Sequence, residues 1–349
     1  MAVATLNIDL AAIADNWLAL DAKSAPNVET AAVVKANGYG CDAGRVSNAL
    51  SKAGARTFFV AAAEEGIIVR ANTPRETTIY VFSGGCMDDR TILKSYNLVP
   101  LLNSPEQVKE YATKDKNFGI QLDTGMNRLG LEPYEFKALR DDIIAAQPQL
   151  LMSHLACADE PENTMNVEQL AAFRTMTDGQ DIPQSLAATG GLLLGADYHF
   201  DLTRPGVGLY GGFPYLDAKP VVRVSVPIIQ TRTVEVGEAI GYAAFYRADK
   251  PIRVATVAAG YGDGLIRQMG NQTNEHRVNL YAGDTPCQLI GRVSMDLITV
   301  DISNLDHTPS HLDILCTHQT IDDLANAAGT IGYEILTSLG GRYNRVYEG

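Results

Sequence analysis

The chain has 349 residues, with 28 Lys or Arg against 41 Asp or Glu, so its formal net charge is −13. No run of Lys or Arg offers a basic face, so we predict no nucleic-acid partner and, at roughly 100–200 residues per domain, about two domains. Five scattered cysteines without a CxxC pair, and acidic residues inside the apolar N-terminal stretch, predict a cytoplasmic protein with reduced thiols, no signal peptide and no membrane association.

Short apolar runs, most of them followed by a stretch of helical composition, recur between residues 31 and 210. The predicted strands are 31–34, 57–61, 78–82, 98–101, 118–122, 149–153, 184–188 and 201–203. The predicted helices are 43–53, 62–70, 88–94, 105–112, 133–146 and 167–178. Eight strands with helical crossovers predict an α/β fold, a (β/α)8 TIM-like barrel, with a doubly wound open sheet as the alternative.

The pattern changes after residue 210, where GGFPYLDAKP has the composition of a linker. Segments rich in β-type residues follow at 221–236, 253–259, 278–280, 288–291 and 297–302, then a helix at 321–328 and a tail at 340–349. We therefore predict a barrel domain, 11–214, and a mainly-β C-terminal domain, 215–349. A strand near the N-terminus could add to either domain, and we assign 1–10 to the second.

Chemistry in such a barrel lies at the carboxyl ends of the strands. Lys35 closes the first apolar run, inside VVKANGYG, where burial would lower the pKa of its amine. A free amine is what Schiff-base chemistry requires. On position alone, a lysine that reaches from the strand end to water is the more common case.

Two small motifs close the last two strands, Thr189-Gly190-Gly191 and Arg204-Pro205-Gly206. Loops at this place in a barrel commonly bind phosphate, although each motif alone is ordinary turn chemistry. A strand-end lysine together with a phosphate cradle predicts pyridoxal 5'-phosphate, which needs an amine for its aldehyde and an anchor for its phosphate.

The chain resembles the alanine racemases, a family with a pyridoxal-phosphate barrel followed by a β domain. The resemblance covers nearly the whole length and rests on AVVKANGYG, LDTGMNRLG, SHLACADE, RPGVGLYG, GYGDG and GRVSMD in this order. It implies the interconversion of L-alanine and D-alanine, a supply of D-alanine for peptidoglycan, and a homodimer whose active sites are shared between subunits.

The resemblance also implies roles for single residues. Lys35 matches the lysine that holds the cofactor and acts as one catalytic base, and Tyr261 matches the opposite base, which comes from the partner subunit. Arg128 matches the arginine that binds the substrate carboxylate. Met295 matches the residue whose backbone receives that carboxylate across the dimer interface.

Further residues match cofactor contacts of the family, and these are Tyr39, His154, Thr189, Arg204, Gly206 and Val207. Tyr343 is the nearest substitute for a tail tyrosine that many relatives use on the phosphate. Where many relatives have a lysine two residues before the Asp of DTGM, often carbamylated, this chain has Gln121. The orientation of Arg128 is therefore left open.

Other interpretations remain at this stage. A racemase of another small amino acid such as serine, a decarboxylase, or a noncatalytic pyridoxal-phosphate carrier could use the same architecture. We predict no metal site, because the His307 to His318 region lacks a paired Cys motif. Glu64 and Glu65 are expected to be solvated residues at a helix end.

Overall fold

The computed structural model describes residues 3–85, 89–111, 117–270 and 277–349. Residues 88 and 112 of two predicted helices, and Cys86, lie outside this part of the chain. The chain forms two compact units. The barrel unit comprises Ile13–Leu209 and Phe213–Ala218, and the C-terminal unit comprises Met1–Ala12, Tyr210–Gly212 and Lys219–Gly349.

The strands of the described residues are β1 (Thr5–Asp9), β2 (Glu29–Thr30), β3 (Ala32–Val33), β4 (Thr57–Val60), β5 (Thr78–Val81), β6 (Val99–Leu102), β7 (Gly119–Gln121), β8 (Leu151–Met152), β9 (Gln184–Ser185), β10 (Leu202–Thr203), β11 (Val222–Val234), β12 (Ala239–Ile240), β13 (Tyr246–Arg247), β14 (Ile252–Val257), β15 (Asn279–Ala282), β16 (Thr285–Ile290), β17 (Ile298–Asp301), β18 (His311–Leu315) and β19 (Asn344–Glu348). The helices are α1 (Leu10–Asp21), α2 (Lys35–Tyr39), α3 (Ala43–Ala53), α4 (Ala63–Asn72), α5 (Arg90–Ser95), α6 (Pro105–Tyr111), α7 (Pro133–Ala146), α8 (Met165–Thr177), α9 (Thr189–Leu194), α10 (Ile321–Ala328) and α11 (Gly332–Ser338).

The barrel unit is built on a parallel sheet in the order β3-β4-β5-β6-β7-β8-β9. Strand β10 pairs in parallel with β2, which runs directly into β3, and a bridge between Ala188 and Arg204 joins β10 to the end of β9. The ring of strands is thereby closed. The predicted TIM-like barrel is confirmed, and the open doubly wound sheet is wrong.

The barrel strands are buried on both faces, as parallel strands covered by helices must be. All four residues of β4 and all four of β6 are buried. Helix α3 is capped by Asp42, whose carboxylate accepts from the Gly44 and Arg45 N–H groups, and the helix buries Val46 and Leu50. An acceptor at this position satisfies N–H groups that have no partner inside the helix.

The segment α2 is a left-handed turn rather than an ordinary helix. Ala36, Asn37, Gly38 and Tyr39 all have φ between 52° and 64°. A left-handed residue other than glycine costs about 1–2 kcal/mol, so a run of this kind persists only when its surroundings hold it. The turn follows Lys35 directly.

The C-terminal unit is a mainly antiparallel β structure. Its large sheet has the order β14-β17-β16-β15-β18-β11-β1-β19, and β14 also pairs with β11. Strand β1 pairs with β11 and with β19, which places the N-terminal strand in this unit. A mainly-β domain after the barrel is confirmed. In this unit the sequence prediction missed β12, β13, β18, α11 and β19, because they lack a clear period.

No helix among the described residues is both long enough and apolar enough to cross a membrane.

Candidate active site

Lys35 lies at the carboxyl end of β3, at the mouth of the barrel. Burial is the main cause that lowers the pKa of Lys35, and the positive charge of Arg128 lowers it further. The carboxylate of Glu65 acts in the opposite direction and raises it. The site therefore favours the neutral amine more than water does.

Lys35 and Arg204 face one stack of aromatic rings. The Lys35 Nζ lies 5.7 Å from the centre of the Phe82 ring, and the Arg204 guanidinium lies 5.8 Å from the centre of the Phe59 ring. The Phe59 and Phe82 rings stack with their centres 5.2 Å apart. The structure thus brings the ends of the first and last strands to one place.

Arg204 is 1% exposed and carries a buried charge. Its Nη2 donates to the Ser153 carbonyl at 2.7 Å and to the Leu186 carbonyl at 3.3 Å, and its Nη1 donates to Ser185 Oγ. These partners are neutral, and burial lowers the pKa of Arg204. A guanidinium held in this way keeps a positive potential at the mouth of the barrel.

His154 follows β8 and is surrounded by positive charge. Burial is the first cause that lowers its pKa to about 3, followed by the charges of Arg204, Arg128 and Lys35. Gln169 donates to the His154 carbonyl at 2.9 Å and fixes the backbone there. The imidazole is therefore neutral at physiological pH and lies near the guanidinium groups of Arg204 and Arg128 and the amine of Lys35.

We expect the neutral imidazole to make stability depend on pH. Below pH 6.5 an unfolded chain binds a proton at His154 that the folded protein does not bind. The stability of the folded protein therefore decreases as the pH is lowered from about 6.5 to about 3. The slope approaches about 1.4 kcal/mol per pH unit once the pH lies well below 6.5, because the unfolded chain then binds one proton that the folded protein does not bind. Urea unfolding of the cofactor-free protein at pH 7 and pH 5, compared with His154→Gln, measures this slope, and parallel pH dependences in the two proteins would contradict it.

Arg128 lies in the loop that follows β7. The Asp123 carboxylate accepts from the N–H groups of Gly125 at 2.8 Å and Asn127 at 3.1 Å, which closes the loop. The buried Gln121 side chain donates to the Leu129 carbonyl at 3.2 Å. Gln121 therefore holds the backbone of the residue next to Arg128, and this hydrogen bond helps to fix the loop.

The predicted phosphate cradle is assembled from two strand ends. Thr189 Oγ1 accepts from the N–H groups of Gly206 at 3.0 Å and Gly208 at 3.3 Å, so these two groups point at the hydroxyl. A Cβ at Gly206 would lie 2.6 Å from Tyr39 Oη. Tyr39, Thr189 and Gly206 are thus brought together, and the buried Val207 continues the chain from Gly206.

The C-terminal unit carries Tyr261 and Met295, whose side chains are 42% and 54% exposed. Their segments pair through the backbone, since Tyr261 N–H donates to the Ser294 carbonyl at 2.9 Å and Gly262 N–H to the Met295 carbonyl at 2.8 Å. Both predicted residues therefore lie side by side on the surface of this unit.

An arginine that the sequence analysis did not single out holds the two segments together. Arg342 binds both oxygens of Asp263, each at 2.7 Å, and the Asp296 carboxylate at 2.7 Å. Asp263 lies in the turn of Tyr261 and is 7% exposed, while Asp296 follows Met295. The bidentate pair orients the Tyr261 turn, and the third bond couples it to Met295.

Tyr343 is buried in the C-terminal unit. Its hydroxyl is enclosed and has no hydrogen-bond partner among the described residues. Burial and the nearby Asp263 carboxylate raise its pKa, so the phenol stays neutral. The phosphate contact of Tyr343 remains a prediction.

Glu65 is a further residue whose role the sequence analysis missed. The expectation of a solvated helix end is wrong for it, because both carboxylate oxygens accept backbone N–H groups, those of Ala36 and Ala61. A carboxylate in a first helical turn is common, and no sequence signal separates Glu65 from Glu64. Among the described residues, no group of His, Cys, Asp and Glu could hold a metal ion.

The chain matches known proteins over its whole length. The model of the alanine racemase N-terminal domain matches residues 8–214, and that of the C-terminal domain matches 221–347. The chain is 56% identical to the alanine racemase of Cereibacter sphaeroides strain ATCC 17025, over 99% of each chain.

Solved structures agree. The alanine racemase of Bartonella henselae, a crystal structure with covalently bound pyridoxal phosphate, is 34% identical with a TM-score of 0.92, over 99% of this chain and 100% of that one. The biosynthetic alanine racemase of Pseudomonas aeruginosa is 32% identical with a TM-score of 0.92, over 100% of both chains. The resemblance found in the sequence is confirmed: this chain belongs to the alanine racemase family.

Proposed function

We propose that the chain interconverts L-alanine and D-alanine with pyridoxal 5'-phosphate, using Lys35 and Tyr261 as bases on opposite faces of the substrate. Membership of the alanine racemase family supports the reaction and the cofactor. The observation that carries the assignment of Lys35 is its position beside Arg128, His154 and Arg204 at one mouth of the barrel, where Lys35 and Arg204 face one stack of aromatic rings.

The barrel residues fit the cofactor. The guanidinium groups of Arg204 and Arg128 lie near a neutral imidazole, and this positive potential suits a ligand with a phosphate and an acidic ring hydroxyl. Gly206 lies so close to Tyr39 that a Cβ there would come within 2.6 Å of the Tyr39 Oη, and the tyrosine side chain would have to shift. Lys35 would hold the aldehyde through its amine, Arg204 and His154 would contact the ring, and Tyr39, Thr189, Gly206, Val207 and Tyr343 would contact the phosphate.

The two bases have matched tasks. When bound, pyridoxal phosphate acts as an electron sink and acidifies the α-proton of the amino acid. Lys35 serves as a base because burial and Arg128 favour its neutral amine. Tyr261 takes or returns a proton at its phenol oxygen on the other face, and Arg342 holds the turn that carries it through Asp263.

The substrate carboxylate would be bound by Arg128 and by the backbone at Met295. Asp123 and Gln121 fix the loop that carries Arg128, so the Arg128 side chain extends from a defined backbone. A fixed carboxylate aligns the α-proton with the bases, and such orientation supplies much of the catalytic effect.

A homodimer with shared sites follows from the same assignment. Tyr261 and Met295 are exposed on the C-terminal unit, which leaves them open to a second subunit. We place the enzyme in the cytoplasm, where its D-alanine would supply peptidoglycan. The cysteines of the described residues are free thiols, as a reducing compartment requires.

The reaction is tested with purified protein, pyridoxal phosphate and L-alanine in deuterated water. D-alanine that carries deuterium at the α-carbon, with L-serine turned over more slowly, is the expected result. Faster serine turnover would move the assignment to another substrate, and a decarboxylated product would move it to a decarboxylase. Cofactor binding without any α-proton exchange would indicate a carrier.

We expect subunit mixing to test the shared site. Lys35→Ala and Tyr261→Phe dimers, each inactive alone, are unfolded together and refolded as an equal mixture. Half of the dimers combine the two variants, and one of their two sites is then intact, so about one quarter of the wild-type activity should return. If each site lies within one subunit, no activity returns.

A further inference from the structure

Glu65 lies in the first turn of α4, and both of its carboxylate oxygens accept hydrogen bonds from backbone N–H groups near Lys35. Its Oε1 accepts from the Ala36 N–H at 2.7 Å, and its Oε2 accepts from the Ala61 N–H at 2.8 Å. Ala36 is the residue after Lys35, and Ala61 is the residue after strand β4. One side chain thus joins the ends of two neighbouring barrel strands.

The bond to Ala36 holds a strained backbone. Ala36 has φ 53° and ψ 48°, and the left-handed conformation continues through Tyr39. A turn of this kind needs external support, because each non-glycine residue in it costs about 1–2 kcal/mol. Asn37 supports the far end by accepting from the Ala43 N–H at 3.1 Å, whereas Glu65 supports the end next to Lys35.

The charge of Glu65 also faces the Lys35 amine. Around that amine lie Arg128, whose charge disfavours the ammonium form, and the neutral imidazole of His154. Glu65 is the negative group that opposes this effect. Its carboxylate therefore has both a geometric and an electrostatic relation to Lys35.

We propose that Glu65 is a positioning residue for Lys35. Its carboxylate fixes the left-handed turn, so that the lysine leaves strand β3 in one direction, and its negative charge acts on the lysine amine. The proposal deepens the proposed function and rests on Lys35 being the base that holds the cofactor. Glu65 itself touches neither substrate nor cofactor in this role.

The test compares Glu65→Gln with Glu64→Gln. Both variants remove one negative charge from the first turn of α4, so any effect on the helix dipole is matched. The amide in Glu65→Gln can accept only one of the two N–H groups. The Lys35 pKa is measured in cofactor-free protein by competitive acetylation across pH, with mass spectrometry of the Lys35 peptide.

In Glu65→Gln the labelling midpoint of Lys35 should move to lower pH by about half a unit or more, because the charge that favours the ammonium is gone. In the holoenzyme kcat should fall about 10- to 100-fold with little change in KM, as expected when a reacting group is misplaced. Glu64→Gln should match the wild type in both measurements. A Glu65→Gln variant that behaves like Glu64→Gln overturns the proposal.

A poorly folded Glu65→Gln protein does not end the test. Ala36→Gly relieves the left-handed strain, and Glu65→Gln is then compared within that background. The Lys35 midpoint should again move to lower pH, and an unchanged midpoint overturns the proposal. The proposed function has a separate test. It fails if borohydride fixes the cofactor to a lysine other than Lys35 in the wild type, and that result does not depend on the labelling midpoint of Lys35.

Discussion

Replacement of Lys35 by alanine is expected to abolish racemisation, with a loss of about 10⁴-fold or more, since the residue would both hold the cofactor and move a proton. The aldehyde would then be bound only by noncovalent contacts. Borohydride reduction followed by peptide mass spectrometry provides the second measurement. The wild type should carry the reduced cofactor on the peptide that contains Lys35, and the variant should carry none.

Lys52→Ala is the matched control, because Lys52 is an exposed lysine at the end of α3. It should keep wild-type activity and the same labelled peptide. Cofactor trapped in the Lys35→Ala protein at the wild-type level would show that another amine holds it. The assignment of Lys35 would then be abandoned, although the fold and the family would stand.

Replacement of Tyr261 by phenylalanine should slow racemisation by about 10³-fold, within the range usual for the loss of a general acid or base. The ring keeps its place, and only the phenol hydroxyl is lost. Lys35 remains able to remove and return a proton on its own face. One enantiomer of alanine should therefore exchange its α-proton with deuterated water without inversion, while the other exchanges much more slowly.

NMR of the α-proton together with chiral chromatography distinguishes exchange from inversion. Tyr242→Phe is a suitable control, because Tyr242 is 70% exposed in the same unit. It should racemise alanine at the wild-type rate. A Tyr261→Phe enzyme that exchanges both enantiomers equally would contradict the two-base arrangement, and one that racemises at more than a tenth of the wild-type rate would remove Tyr261 from the mechanism.

Much of the barrel could be read from the sequence. Helices α3 and α7 have the predicted bounds, and each predicted barrel strand overlaps an observed one, because buried parallel strands are continuous apolar runs between polar helices. The first predicted strand, 31–34, overlaps β3 alone, and β2 directly before it was not predicted; β2 and β3 pair with opposite neighbours and so close the ring. Closure depends on long-range pairing that a local pattern does not contain.

The same distinction between local pattern and long-range contact holds for the candidate active site. The sequence by itself determined which residues stand at the strand ends, among them Lys35, His154 and Arg204, because strand ends follow from hydrophobic runs. Only the tertiary structure decided how Lys35 is supported. Glu65 and Glu64 look alike in sequence, and the difference arises because one of them faces two strand ends whose N–H groups need an acceptor. Arg342 likewise meets Asp263 across 79 residues, a contact created by packing rather than by any local signal.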